Sequence, residues 1–248
     1  MNDQALLAIC GEVVDAVRLA LDRIDDWSSP GGRPGQYGID LVADGAALEV
    51  LDATELGVLS EESGIRRPDA PLIAVIDPVD GSTNASRGVP WFACSVCVVD
   101  DMGPAVCVVA NLSSGVRYSA VRGEGAWRDG TQLTPSRCDT IGEAVVAFSG
   151  YPRRYMGWSQ YRCFGAAALD LCAVAEGSID AYSVVGHSAL GSWDYLGGML
   201  VCTEAGAQVE EVDGLDLVTT EHAARRAVAA AGTPELLAQV VAGARTAR

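Results

Sequence analysis

The residues best suited to chemistry sit in one stretch, Ile76-Asp77-Pro78-Val79-Asp80-Gly81-Ser82-Thr83-Asn84. An apolar run over residues 72–76 leads into two Asp three positions apart. Such a run reads as a buried strand, so both carboxylates would emerge at its end. Pro78 fixes one φ and removes a donor. Gly81 permits a tight turn or a close backbone approach. Ser82, Thr83 and Asn84 can cap a helix or present free amides. Two carboxylates beside a nest of N–H groups can hold divalent cations and a phosphate oxygen together. The same letters also serve as a plain turn, since Asp-Pro and Asp-Gly mark turns. Glu61-Glu62 follows a short apolar strand, and Asp194 lies in the first turn of an expected helix. Taken singly, each acid also reads as a solvated charge or a helix-dipole partner.

Composition removes several alternatives. The 248 residues carry 33 Asp+Glu against 17 Lys+Arg, a formal net charge of −16. Every basic residue is Arg; there is no Lys. Schiff-base, pyridoxal-phosphate and Walker-type phosphate chemistry all need that amine. Two His, His187 and His222, argue against a zinc site built on several imidazoles. The acid excess argues against nucleic acid or an anionic membrane as the main partner. No stretch of about 18 apolar residues predicts a spanning helix, and Met1-Asn2-Asp3-Gln4 does not open a signal peptide. Cys94 and Cys97 form a C-x-x-C inside an expected strand, with no second C-x-x-C to complete a zinc site. The eight Cys read as buried thiols in a reducing compartment, so a cytoplasmic location is expected.

Periodicity supplies the elements that must position these groups. Apolar residues at helical spacing predict a helix over 3–25, and a second is expected over 45–56. Strands are expected at 58–60, 72–76, 91–99, 105–111 and 115–122, the last three as an antiparallel meander. After Pro135 strands and helices alternate: a strand at 144–149, helices at 166–176 and 193–205, an edge strand at 209–212 and a closing helix at 233–245. This predicts an α+β half over 1–138 and an α/β half over 139–248 that carries Asp194, without a flexible linker between them.

Three segments together resemble the inositol monophosphatase family. Ser60-Glu61-Glu62-Ser63 is similar to its G-E-E-[ST], the stretch from Ile76 to Asn84 to its I-D-P-x-D-G-T-x-N, and Trp193-Asp194 before Glu204-Ala205-Gly206 to its W-D and E-A-G. The segments from Gly123 to Gly130 and from Gly165 to Cys172 also resemble family segments, and the order is kept along nearly the whole chain. The resemblance implies a layered αβαβα sandwich and Mg²⁺-dependent hydrolysis of a small phosphate monoester, with inositol monophosphate the default. Histidinol phosphate, fructose 1,6-bisphosphate and adenosine 3′,5′-bisphosphate are the close alternatives. A metal- or phosphate-binding homologue without turnover is the alternative from another class.

Carried over position by position, Asp77 would bridge two Mg²⁺. Glu61 and the Val79 carbonyl would join it on the first, and Asp80 and Asp194 would complete the second. Glu61 would also touch a third. Asp44 would pair with the Ser82 hydroxyl to activate water, with Asp40 as the other choice. Gly81, Ser82, Thr83 and Ala167 would bind phosphate or substrate together with Asp80 and Asp194. A homodimer is the family's habit. Ser60, Ser82 and Ala85 replace the usual Gly, Thr and aromatic. Val184 stands where inositol-specific members carry Glu, and the stretch between Phe148 and Arg162 is short. Arg33, Arg153, Arg154 and His187 receive no role.

Overall fold

In a computed structural model, residues 1–247 are described. The first two helices are α1 (Asp3–Leu21) and α2 (Gly38–Asp52). Next come β1 (Gly57–Ser60), β2 (Gly64–Arg66), β3 (Ile73–Asp80) and the short α3 (Ser82–Arg87). The meander follows as β4 (Ala93–Asp100), β5 (Gly103–Asn111), β6 (Arg117–Val121), β7 (Gly125–Arg128) and β8 (Thr131–Gln132). The remainder is β9 (Val145–Ser149), β10 (Gln160–Arg162), α4 (Ala167–Ala175), β11 (Ala181–Val184), α5 (Ser192–Ala205), β12 (Gln208–Glu211), β13 (Val228–Ala231) and α6 (Pro234–Ala247).

Eight strands form one sheet, in the order β2-β1-β3-β4-β5-β6-β7-β8. Five form a second, in the order β10-β9-β11-β13-β12. The first sheet is mixed rather than wholly antiparallel, because β1 runs parallel to β3. α1 and α2 cover one face of it, where Val13, Val17, Ala47 and Leu51 meet Ile76, Val96 and Val106. Its other face packs on α4 and α5, which also meet the second sheet, and α6 closes the far side. The result is the expected αβαβα layering. Both faces of β3, β4 and β5 are buried, which is why these strands read as unbroken apolar runs. Cys94 faces one core and Cys97 the other, so the C-x-x-C is a strand alternation, and all eight cysteines are free.

α2 begins at Gly38, seven residues before the expected start at 45, because Asp40 caps it: its Oδ2 accepts the Tyr37 N–H at 2.8 Å. This turn brings Asp40 to the site and sends Asp44 one helical turn away. Between β9 and α4 the chain forms only β10 and irregular backbone.

Candidate active site

β3 carries the central acids by means of a bulge. Asp77 lies opposite Ser95 and Asp80 opposite Ala93 on β4, so β3 has one residue more than its partner. Side chains alternate along a strand, and residues three apart should face opposite ways. The extra residue at Pro78-Val79 changes that parity and lets both Asp face one side. Asp77 Oδ1 accepts the Val79 N–H at 3.0 Å, which fixes the bulge.

The other acids arrive from separate elements. Glu61 follows β1, whose parallel pairing sets Ser60 opposite Ile76, and its N–H donates to the Ile76 carbonyl at 3.2 Å. Asp194 sits in the first turn of α5 and accepts the Gly191 N–H at 2.7 Å. Carboxylate oxygens of Glu61, Asp77 and Asp194 all lie within 4.8 Å of one another. Asp80 stands beside this trio, its Oδ2 accepting the Ala168 N–H at the start of α4 at 2.7 Å.

Electrostatics mark the cluster as incomplete without cations. Burial, then Asp194, Glu62 and Asp40, push Glu61 up to about 8. Burial and then Glu61 hold Asp77 well above the usual carboxylate range. Burial and then Asp194 do the same to Asp80. Burial lifts Asp194 to about 6 against the pull of the Gly191 N–H and Arg225. None of the four forms an ion pair among the described residues. Four like charges sharing a buried space need either protons or metal. Carboxylate oxygens are hard donors that suit a divalent cation such as Mg²⁺, so the residues fit the metal that the family implies.

Gly81 has φ 86° and starts α3. A Cβ there would lie 2.9 Å from the Gly165 carbonyl and 3.1 Å from Ala166 Cβ, so the glycine lets the starts of α3 and α4 abut. The first amides of a helix have no internal acceptor, which leaves those of Ser82 and Thr83 for an outside oxygen. Asn84 Nδ2 donates to the Trp91 and Phe164 carbonyls at 2.8 and 2.7 Å and ties the two segments together. Ala167 opens α4 and is buried.

The structure gives Asp44 two serine partners. Asp44 Oδ1 accepts the hydroxyls of Ser60 at 2.5 Å and Ser63 at 3.3 Å. Asp40 Oδ2 accepts the Tyr37 N–H, its Oδ1 is buried without a hydrogen-bond partner among the described residues, and burial lifts the group to about 6. Asp40 and Ser82 line one pocket of about 230 Å³ with Glu61, Glu62, Arg33 and Trp193. Arg33 Nη2 donates to Glu62 Oε2 at 2.5 Å and to the Glu61 carbonyl at 3.3 Å, and forms no ion pair with the Glu61 carboxylate. The sequence reading missed His222 and Arg225, which complete the pocket. His222 Nε2 lies 3.2 Å from the Glu61 carbonyl and its ring 4.8 Å from that of Trp193. Arg225 stacks 5.1 Å from the Trp193 ring. They come from a loop far along the chain, with no local signal.

Two sheets between three helical layers, and acids gathered at a strand end and a helix start into a cluster that could hold a metal, are the layered architecture of a family of phosphomonoester hydrolases. The chain belongs to the inositol monophosphatase family, whose sequence model matches residues 39–247. The fructose-1,6-bisphosphatase/inositol-1-monophosphatase of Archaeoglobus fulgidus is 31% identical over 227 residues, covering 88% of each chain. Inositol-1-monophosphatase ImpA of Mycolicibacterium smegmatis is 28% identical, over 85% of this chain and 83% of that one. A solved Pyrococcus horikoshii structure described as similar to inositol-1 monophosphatase shares the fold, with a TM-score of 0.88 at 22% identity over 98% of this chain and 99% of that one.

Proposed function

We propose that the protein hydrolyses a small phosphate monoester in the presence of Mg²⁺, with inositol monophosphate as the default substrate. The observation that carries this reading is the trio of buried Asp77 and half-buried Glu61 and Asp194, with oxygens within 4.8 Å and no cationic ion-pair partner among the described residues. Asp77 would bridge two cations. Glu61 and the Val79 carbonyl would hold the first, Asp80 and Asp194 the second, and Glu61 a looser third. Bound divalent ions neutralise phosphoryl oxygens and acidify water. Asp40, with Ser82, orients the attacking water and takes its proton. Its elevation to about 6 suits a base working near neutral pH. The amides of Gly81, Ser82 and Thr83 receive phosphate oxygens, and the start of α4 at Ala167 walls the substrate.

The name of the Archaeoglobus relative makes fructose 1,6-bisphosphate the first alternative substrate, ahead of histidinol phosphate and adenosine 3′,5′-bisphosphate. A cytoplasmic location is compatible with the eight free thiols, and a homodimer rests on the family's habit. The test is phosphate release from these four esters with Mg²⁺ and with EDTA. Turnover of at least one ester in Mg²⁺ and none in EDTA is expected. No turnover of any ester by a protein that still binds Mg²⁺ would leave a binding protein in place of an enzyme.

A further inference from the structure

The irregular segment between β9 and β10 encloses, with β10 itself, a cavity of about 440 Å³. Its lining includes Tyr151, Arg153, Arg154, Tyr155, Trp158 and Tyr161, and it shares no residue with the lining of the acidic pocket. The segment is anchored on the end of α6: Arg153 N–H donates to the Ala247 carbonyl at 3.4 Å, and Met156 packs against Gly243. Trp158 stands edge-on to the buried Phe148 at 5.1 Å. Tyr155 lies 4.8 Å from Trp158 at 77°, and Tyr161 lies 5.8 Å away at 60°. The Tyr155 hydroxyl donates to the Trp158 carbonyl at 2.6 Å. Trp158 is therefore fixed from behind, while Tyr151, Tyr155 and Tyr161 are 82, 67 and 55% exposed. Exposed rings braced against a fixed tryptophan give a planar ligand an aromatic wall to pack on.

Charge narrows the ligand further. The lining has two Arg and no Asp or Glu, on a chain whose formal net charge is −16. Arg153 contacts the His187 ring, and neither Arg153 nor Arg154 forms an ion pair with an acid among the described residues. Guanidinium groups without carboxylate partners favour phosphate or carboxylate ligands. We propose that this cavity binds a planar aromatic anion of the nucleoside monophosphate class, with the ring stacked among Tyr155, Trp158 and Tyr161 and the anion on Arg153 and Arg154. A site of this kind needs no metal, so it stands apart from the catalytic reading.

The test is calorimetric titration of the full chain with adenosine monophosphate in EDTA, which prevents turnover. Adenosine monophosphate binds, while ribose 5-phosphate and adenosine each bind about tenfold more weakly or worse, because each lacks one half of the recognition. Tyr155→Ala and Arg154→Gln each weaken binding about tenfold. Both side chains are exposed, so melting temperature and Mg²⁺-dependent phosphate release stay at wild-type values. Three outcomes overturn the proposal: no binding at millimolar nucleotide, binding lost in Asp77→Asn but kept in Tyr155→Ala, or a Tyr155→Ala dimer-to-monomer change without nucleotide binding. The last would mean that a second copy of the chain covers the patch.

Discussion

Raising the pH of the metal-free protein should destabilise it, and Mg²⁺ should reverse the effect. Glu61 is lifted from 4.5 to about 8 in the folded state. Its folded pKa lies above its unfolded value, so the folded chain holds a proton that the unfolded chain releases first. Stability is therefore full below about pH 4.5, falls through the interval up to about 8, and levels off above it. A shift of that size corresponds to about 5 kcal/mol in full, of which about 4 is lost between pH 5 and 8.5. At two to four degrees per kcal/mol for a chain of this size, the melting temperature should drop by about 10 °C between pH 5 and 8.5. Asp77 and Asp194 add to the same trend, since both are raised. Saturating Mg²⁺ binds the ionised cluster of the folded chain, and at about 100 times its dissociation constant adds about 3 kcal/mol. Differential scanning fluorimetry in EDTA and in Mg²⁺ measures both. Asp77→Asn, which takes a charge out of the cluster, should at least halve the drop in EDTA and the gain in Mg²⁺. A melting temperature in EDTA that rises from pH 5 to 8.5, or an Asp77→Asn protein with the full wild-type pH dependence, would refute the linkage.

Asp40→Asn should lower kcat about 100-fold by removing the proton acceptor while melting close to wild type. Asp44→Asn should instead cost about 1–3 kcal/mol in urea unfolding, because buried Ser60 loses its charged acceptor, with kcat nearly kept. Gly81→Ala combines a positive φ with a 2.9 Å approach to the Gly165 carbonyl. It should destabilise by about 2 kcal/mol and lower kcat/KM at least tenfold as the starts of α3 and α4 separate.

Much of this was legible in the chain because the signals were local. The apolar run into Asp77, the Asp-Pro and Asp-Gly steps, and Trp193-Asp194 at a helix start all announce themselves within a few residues. β11 and β13 were not legible: both are four residues long, Val228–Ala231 is mostly alanine, and they are strands because the sheet around them pairs their backbones. The start of α2 was not legible because Gly38 looked like loop, so the choice between Asp44 and Asp40 as the water-activating acid stayed open in the chain. With helix starting there, Asp40 lines the pocket together with Ser82, while Asp44 accepts the Ser60 and Ser63 hydroxyls. His222 and Arg225 owe their position to a loop returning across Trp193 from more than 25 residues away, a contact no local pattern encodes.

The most direct measurement is Mg²⁺-dependent phosphate release by Asp77→Asn beside the wild type, on whichever monoester the wild type turns over best. Asp77 is the buried acid of the trio, raised by burial and then by Glu61, Asp80 and Asp194. The account predicts a fall of about 1,000-fold or more at saturating Mg²⁺. Activity within a few-fold of wild type would contradict it.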